Sequence, residues 1–259
     1  MAAANDSPPP PRSRRDFLVG AGLGVAAVKL PELVWPYLSP SPTHEVSYAQ
    51  CGEDLVARWL LVAFGVFEPT YLDIGAGHPT EHSNTYLFYL HGSRGTLVEP
   101  NPELCRMQRR ARPKDTTVEA GIGFGTEAEL DYYLMSDHRL NTFSKEDADA
   151  VVQRFGQSVQ LVSVVKKPLR DVNKVIAENF NQAPNFVSID VEGLDLAILK
   201  TFDFQRYRPE VFCVETLEVG SSRTRPDVTE FMNGQDYLAR AATFPNTLYV
   251  DGKKWRSIQ

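Results

Sequence analysis

The sequence predicts an α/β fold whose central sheet is mostly parallel and doubly wound. Short apolar runs of strand type alternate with segments of helical period between residues 47 and 250, which is typical of a parallel sheet with helices on both faces. Two later runs, Tyr237–Thr243 and Leu248–Val250, are joined across Pro245 and Asn246 and predict an antiparallel C-terminal hairpin. The length of 259 residues suffices for one such domain with a sizeable core.

The stretch Tyr71–Pro79, which reads YLDIGAGHP, is the centre of this prediction. Val66–Ile74 is rich in β-branched and aromatic residues, and Asp73 lies at the end of this apolar run. Gly75 and Gly77 then permit positive φ angles and leave no Cβ between the backbone and a nucleotide-like ligand. A plain tight turn can have the same Gly-x-Gly spacing, so the motif alone leaves both interpretations open.

A second acidic strand end narrows the choice of ligand. Gly95–Pro100 reads GTLVEP, and Glu99 stands where a carboxylate would accept hydrogen bonds from two ribose hydroxyls. This combination serves both NAD and S-adenosylmethionine. The NAD fingerprint needs a third glycine at position 80, where this chain has Thr80, and no hydride-partner motif is evident. The sequence therefore favours S-adenosylmethionine, which has no pyrophosphate, over an NAD-dependent oxidoreductase.

The remaining elements alternate in the same way. Ser47 is the predicted N-cap of the first helix, with Gln50 as its capping-box partner. Predicted helices cover Ser47–Phe64, a segment from Ser83 or Asn84 to Leu90, Asn101–Arg112, Pro168–Asn179 and Leu194–Thr201. Further predicted strands are Thr116–Ile122, Ala128–Met135, Ser158–Val165, Asn185–Asp190 and Val211–Glu215. The strands Ala128–Met135 and Ser158–Val165 exceed a minimal doubly wound sheet, so we expect an inserted hairpin. Asn101, at the start of its helix, and Gly121, in a strand candidate, complete the predicted cofactor site.

Carboxylates end several predicted strands and are the candidates for catalysis. Ligands of an open α/β sheet bind beyond the carboxyl ends of its strands, so Asp190, Glu192 and Glu215 should face a substrate there. Methyl transfer to a hydroxyl requires an acceptor held in line and a group that takes its proton. We predict Asp190 and Glu192 as the catalytic pair, with His78, His138 and Glu215 as the next candidates. Alternatively, Asp190 and Glu192 cap the following helix, or the cluster holds a hard cation; we assign no metal.

Composition excludes some classes of function. The net charge is −6, which disfavours sequence-independent nucleic-acid binding because that requires a positive surface. The three cysteines are odd in number and widely spaced, so they predict neither a disulfide framework nor a zinc site.

The N-terminal residues 1–42 predict a targeting segment and a linker. Ser13–Leu18, with the sequence SRRDFL, precedes the apolar run Phe17–Val28 and then Lys29, as in a twin-arginine export signal. The apolar run is too short for a bilayer, which takes about 20 residues. Pro31–Pro42 is proline-rich, so we predict a boundary there, with residues 43–259 as the folded domain. The other interpretation is an amphipathic or disordered tail with a chance Arg-Arg pair.

These motifs together resemble the FkbM family of S-adenosylmethionine-dependent methyltransferases. The resemblance extends from about residue 45 to residue 250, and IDVEG is its most specific part. The matching segments are Ser47–Leu55, Tyr71–Pro79, Ser83–Gly92, Gly95–Leu104, Phe186–Phe204, Arg208–Glu215 and Gly234–Val250. The resemblance implies a Rossmann-like class I methyltransferase fold and O-methylation of sugars, polysaccharides or secondary metabolites. It does not fix the acceptor, because Phe124–Val165 matches least.

Cofactor and signal point to different compartments. S-adenosylmethionine is a cytosolic cofactor, whereas the N-terminal segment predicts recognition by the twin-arginine export machinery or membrane association. Either the domain meets its cofactor before export, or the segment anchors it at the inner face. A third possibility is an exported, non-catalytic glycan- or ligand-binding protein on a methyltransferase fold, although Asp73, Gly75, Gly77 and Glu99 argue against a decayed site.

Overall fold

Ten β-strands form two sheets in residues 45–217 and 223–259, the parts of the chain that the computed structural model describes. The predicted signal and linker, residues 1–42, lie outside these described residues. The strands are β1 (Tyr71–Ile74), β2 (Gly95–Val98), β3 (Thr116–Val118), β4 (Gly121–Ile122), β5 (Glu129–Met135), β6 (Leu161–Arg170), β7 (Phe186–Ile189), β8 (Val211–Glu215), β9 (Tyr237–Ala242) and β10 (Asn246–Asp251).

The strands are separated or followed by helices along the described chain. The eight α-helices there are α1 (Glu53–Ala63), α2 (Tyr86–Leu90), α3 (Pro102–Ala111), α4 (Lys145–Phe155), α5 (Val172–Asn179), α6 (Asp195–Leu199), α7 (Pro226–Gly234) and α8 (Gly252–Ser257). A 3₁₀ turn, His138–Leu140, lies between β5 and α4. No helix of the described residues combines the length and the apolar character that crossing a membrane requires.

The larger sheet has seven strands in the order β3-β2-β1-β7-β8-β10-β9. β1 pairs in parallel with both β2 and β7, and β7 pairs in parallel with β8. β10 runs antiparallel to both of its neighbours, β8 and β9. The predicted fold class is therefore confirmed: the sheet is mostly parallel, with helices between its strands and with the expected antiparallel C-terminal hairpin.

Two apolar clusters cover the two faces of this sheet. On one face, residues of β1, β7 and β8 pack with α5, α6 and α7, as shown by the cluster that joins Leu72, Val187, Ile176 and Met232. On the other face, α1 and α2 pack against alternate residues of the same strands, as in the cluster of Leu61, Phe88, Phe186 and other side chains. All side chains of β1, β7 and β8 are buried. Burial on both faces explains why these strands read as continuous apolar runs.

The predicted inserted hairpin is present as the antiparallel pair β5 and β6 of the smaller sheet. β6 is longer than predicted and extends through Pro168 to Arg170, where Ile122 of β4 is its neighbour. The predicted helix Pro168–Asn179 is therefore wrong in its first turn. Helix α5 begins at Val172, because the Asp171 side chain caps it by accepting hydrogen bonds from the backbone N–H groups of Asn173 and Lys174.

Two other predictions need correction. The strand candidate Thr116–Ile122 is split, since β3 joins the large sheet and β4 the small one. Ser47 does not cap α1, which begins only at Glu53. Instead the Asp54 carboxylate accepts hydrogen bonds from the Ser47 hydroxyl at 2.6 Å and the Tyr48 backbone N–H at 2.7 Å, which holds this non-helical segment against the start of the helix.

Candidate active site

Four residues form a row at the carboxyl edge of the large sheet. The last paired residues of the central strands are in register, with Ile74 of β1 beside Val98 of β2 and Ile189 of β7, and Ile189 beside Val214 of β8. The residues that follow them in the chain extend this row one position beyond the paired ladder. In strand order they are Glu99, Gly75, Asp190 and Glu215. The sheet thus brings a predicted cofactor residue and a predicted catalytic residue to either side of the glycine turn.

Glycine is required at the centre of this row. Gly75 has a φ of 78°, and a Cβ there would overlap the backbone carbonyl of Asp190. The Gly75 N–H donates to the Val98 carbonyl at 3.0 Å, and the Asp190 N–H donates to the Ile74 carbonyl at 3.0 Å. The β1 turn therefore lies directly against the chain that leaves β7, with no room for a side chain between them.

Glu99 is the carboxylate that fixes the second glycine. Its side chain is 3% exposed, and its Oε2 accepts a hydrogen bond from the Gly77 N–H at 3.0 Å while Oε1 accepts one from the Asn101 N–H at 2.8 Å. Burial raises the pKa of Glu99 to about 7, although these two hydrogen bonds act to lower it. Each carboxylate oxygen has two lone pairs, so Glu99 keeps acceptor capacity for hydroxyl groups of a ligand.

Asp73 and Asn101 differ from the other predicted cofactor residues in that neither lines the cavity described below. The buried Asp73 carboxylate accepts a hydrogen bond from the Thr85 hydroxyl at 2.6 Å, and Thr85 in turn accepts one from Arg112 at 3.0 Å. Asn101 caps α3 by accepting a hydrogen bond from the Glu103 N–H at 2.9 Å. The structure thus gives both side chains supporting contacts, and a direct cofactor contact of either remains a prediction.

The predicted catalytic residues form a carboxylate cluster with a third residue. One carboxylate oxygen each from Asp190, Glu192 and Glu215 lies within 4.8 Å of the other two. The alternative interpretation as helix caps is wrong for Asp190 and Glu192, since the N-cap of α6 is Leu194 and makes no side-chain capping bond. Asp195 instead holds the turn, because its Oδ1 accepts the Val191 N–H at 3.2 Å.

The electrostatics of this cluster are those of crowded acids. Burial raises the pKa of Asp190 to about 7, and the nearby Asp195 carboxylate raises it further. Burial likewise raises the pKa of Glu192 and that of Glu215, and the charge of Asp190 is the next cause for both. Groups with a pKa shifted in this way, at the edge of a cavity, are candidates for proton transfer or ion binding.

The chain around Glu192 is held in an unusual backbone conformation. Glu192 has a φ of 55°, in the left-handed region, and Gly193 follows with a φ of 103°. The Thr142 hydroxyl donates to the Glu192 carbonyl at 3.0 Å, and Arg225 donates to the Gly193 carbonyl at 2.9 Å. A Cβ on Gly193 would overlap the Asp147 carboxylate. These contacts hold the backbone of Glu192 and Gly193 in place, and Glu192 lines the cavity described below.

A cavity of about 510 Å³ extends along the row from Glu99 to Asp190. This volume lies in the range of small-molecule sites. Of the predicted site residues, those that line it are Gly75, Gly77, Glu99, Gly121, Asp190 and Glu192. The two next candidates for a base, His78 and His138, also line it, whereas Glu215 lies behind Asp190 outside the lining.

The cavity wall opposite the sheet edge was not predicted from the sequence. It is built by the inserted region, through Tyr132 of β5, the 3₁₀ turn with Arg139, and the following residues Asn141–Phe143. Burial raises the pKa of the Tyr132 phenol well above its usual value, and the neighbouring Glu99 charge raises it further. Only the polar, loop-rich composition of this region signalled a surface role, since its position over the cavity depends on pairing between β5 and β6.

The residues at the Glu99 end fit S-adenosylmethionine. Gly75 and Gly77 line the cavity with backbone alone, and the buried Glu99 carboxylate, which keeps free lone pairs, lies beside them. Gln108 fixes the outer part of the turn by donating to the Gly77 carbonyl at 2.8 Å. These features are those expected for a nucleoside with two vicinal hydroxyls.

The sequence matches the profile of a known protein family. The sequence profile described as the methyltransferase FkbM domain matches residues 73–239, which is more than half of the chain. The chain belongs to the FkbM methyltransferase family. As a member of this family it is a methyltransferase that uses S-adenosylmethionine, as the motifs predicted. A comparison with curated protein sequences finds no match.

Solved structures of other methyltransferases are similar to this FkbM-family chain only at a low level. An O-methyltransferase from Bacillus cereus, in complex with SAH, is 12% identical over 81% of this chain and 84% of its own, with a TM-score of 0.39. Magnesium protoporphyrin IX methyltransferase from Synechocystis, with bound SAM, is 8% identical over 76% of each chain, with a TM-score of 0.40. A precorrin-6y C5,15-methyltransferase from Geobacter metallireducens is 14% identical over 76% of this chain and 85% of its own, with a TM-score of 0.38.

Proposed function

We propose that this methyltransferase transfers the methyl group of S-adenosylmethionine to a hydroxyl of a sugar, a polysaccharide or a secondary metabolite. The observation that carries the proposal is a single cavity with Glu99 at one strand end and the carboxylates of Asp190 and Glu192 at another. The strands β2 and β7 are separated by β1 alone, so the two ends are roughly 10 Å apart, or two inter-strand spacings.

The two ends have different tasks in this proposal. Glu99 accepts hydrogen bonds from the ribose hydroxyls, and Gly75 and Gly77 bring backbone against the cofactor. When bound, S-adenosylmethionine supplies a methyl group activated by a sulfonium. Asp190 and Glu192 hold the acceptor in line and take its hydroxyl proton, an effect worth about 10²–10⁴-fold in rate.

The carboxylates favour a hydroxyl over an amine as the acceptor. A carboxylate stabilises the ammonium form of an amine, which has no lone pair to receive a methyl group. A hydroxyl keeps its lone pairs while its proton is hydrogen-bonded to the same carboxylate. His78, His138 and Arg139 add further polar contacts along the lining, which suits an acceptor with several hydroxyls.

The test is to identify the atom that receives the methyl group. Purified full-length chain is incubated with methyl-labelled S-adenosylmethionine and with extracts of cell envelope, exopolysaccharide and small metabolites, and labelled products are analysed by NMR. The proposal expects label in an O-methyl ether of a hydroxylated compound. Label only on nitrogen, sulfur or carbon would overturn it.

A second proposal concerns location. We infer from Ser13–Leu18, which lies outside the described residues, that the paired arginines direct the chain to the membrane, either anchored at the inner face or exported after the domain has met its cofactor. Replacement of Arg14 and Arg15 by Lys should then release the chain into the soluble cytosolic fraction. Equal distribution of wild type and double variant on cell fractionation would contradict this inference.

A further inference from the structure

The carboxylate cluster has the dimensions of a cation site. Oxygen atoms of Asp190, Glu192 and Glu215 lie within 4.8 Å of one another. A hard divalent cation binds carboxylate oxygens at about 2.0–2.6 Å, so two ligand oxygens on opposite sides of one ion are about 4–5 Å apart. The three oxygens are therefore close enough together for one ion to be shared among them.

Glu215 supplies an independent observation. Its side chain is 8% exposed, and its Oε2 has no hydrogen-bond partner within residues 45–217 and 223–259. Since a buried carboxylate oxygen without a partner is costly, native proteins rarely retain one unless a ligand or water completes it. One oxygen of this carboxylate lies within 4.8 Å of an oxygen of Asp190 and of Glu192. It is the group that a bound ion would complete.

The described residues give the cluster no salt bridge from a lysine or arginine. Arg139 and Arg225 act on the cluster only through their charges, which reach Glu192 and Glu215. Their salt bridges are made elsewhere: Arg139 pairs with Asp137, and Arg225 pairs with Asp227. The three carboxylates, which lie within 4.8 Å of one another, therefore repel one another when they are ionised. A cation between them would remove this repulsion.

We propose that Asp190, Glu192 and Glu215 bind one divalent cation of the hard class, namely Mg²⁺, Mn²⁺ or Ca²⁺. Three carboxylate oxygens are ligands that these ions prefer to nitrogen or sulfur donors. Asp190 and Glu192 line the cavity and Glu215 does not, so an ion held by the three residues would be reached from the cavity side of Asp190 and Glu192.

The cavity side gives the ion a task in the proposed reaction. Three protein ligands leave coordination positions for water or for the acceptor hydroxyl, whose oxygen the ion would orient and whose proton it would make more acidic. This role rests on the proposed O-methyl transfer, whereas ion binding itself does not depend on it.

The binding experiment uses the full chain after treatment with a chelator and removal of the chelator. Mn²⁺ is titrated and its free concentration followed by electron paramagnetic resonance, with Mg²⁺ and Ca²⁺ as competitors. We expect one Mn²⁺ per chain with micromolar affinity, displaced by at least one competitor. Glu215→Gln keeps the shape of the side chain and should weaken Mn²⁺ binding at least tenfold. Glu178→Gln, an equal change of charge at an exposed position on α5, should leave it within twofold of wild type.

Two further measurements keep the outcomes separate. Asp190→Asn should weaken Mn²⁺ binding as Glu215→Gln does, and thermal unfolding identifies any variant that fails to fold. Wild-type chain that binds no Mn²⁺ at millimolar concentration, or a folded Glu215→Gln variant with wild-type affinity, would overturn the site. If Mn²⁺ binds as expected but no hydroxyl is methylated, the ion site stands and the proposed function fails. If a hydroxyl is methylated but no Mn²⁺ binds, the proposed function stands and the ion site fails.

Discussion

Replacement of Glu99 by alanine should weaken S-adenosylmethionine binding without unfolding the domain. The variant lacks the acceptor for the ribose hydroxyls, and it also leaves the Gly77 N–H without the carboxylate oxygen that now accepts it at 3.0 Å. Loss of hydrogen bonds to a charged, buried acceptor costs about 1–3 kcal/mol. That range corresponds to a Kd raised roughly 5- to 150-fold.

The assay is calorimetric titration with S-adenosylhomocysteine. Glu99→Gln keeps one acceptor oxygen and should fall between wild type and Glu99→Ala. Glu103→Ala, on an exposed position of α3, is the matched control and should bind as wild type does. The reasoning is refuted if Glu99→Ala has the native circular dichroism spectrum and binds with unchanged affinity.

The other predictions concern turnover, pH and the glycine turn. Asp190→Asn and Glu192→Gln should leave cofactor affinity near wild type, while transfer to the acceptor falls at least tenfold for one of them; if both transfer at the wild-type rate, the base lies elsewhere. The pKa of Glu99 is raised to about 7, and its ionised form binds the ribose, so cofactor affinity should fall roughly tenfold from pH 8 to pH 6. Glu99→Gln should lose this dependence. Calorimetric titrations of both proteins at the two pH values check it. The same raised pKa means that Glu99 stabilises the ligand-free fold below pH 4.5 and that this contribution is lost as pH rises to about 7. Gly75→Ala should lower the Tm more than Gly92→Ala, because both have positive φ but only Gly75 lacks room for a Cβ; equal Tm values would mean that the close contact with Asp190 is unimportant.

The facing groups define how the pH prediction is read. The charge of Asp73 raises the pKa of Glu99, and that of Lys167 lowers it. Cys105 and Tyr132 also face this carboxylate, but burial raises the pKa of Cys105 to about 12 and that of Tyr132 well above its usual value. Neither therefore titrates between pH 6 and pH 8, and comparison with Glu99→Gln isolates the one group.

The central strands were predictable because their residues are apolar on both faces. β8 was placed at Val211–Glu215 and β7 within one residue at each end, since each is a continuous apolar run that ends at a carboxylate. The parallel arrangement then makes it predictable that Gly75, Glu99 and Asp190 meet at one edge. This part of the site follows from alternation and strand ends alone.

Other features depend on contacts between distant segments. Pro168 lies in a strand, against its local helical pattern, because β6 pairs with β5 from Leu161 to Pro168, with Glu129 opposite Pro168. The segment after Ser47 is not helical, because Asp54 accepts its backbone N–H groups. The helices α7 and α8 were not predicted, since both are short and have weak periodic signals.

The cavity-lining residues of the inserted region also could not be predicted from local sequence. Tyr132 and Asn141–Phe143 reach the cavity only because the inserted hairpin folds back over the sheet edge. Asp73 illustrates the opposite case: its place at a strand end predicted a ligand contact, whereas in the structure its carboxylate accepts a hydrogen bond from the Thr85 hydroxyl and does not line the cavity. A strand-end carboxylate therefore indicates the edge of the sheet without specifying whether it faces the cavity or the support beneath it.

The most direct test of the account is a crystal structure of the chain with S-adenosylhomocysteine. The account predicts that the ribose hydroxyls lie within hydrogen-bond distance of the Glu99 carboxylate, with the sulfur directed along the cavity to the side of Asp190 and Glu192. A ligand bound outside this cavity, or with its ribose at the Asp190 end and its sulfur at Glu99, would contradict it.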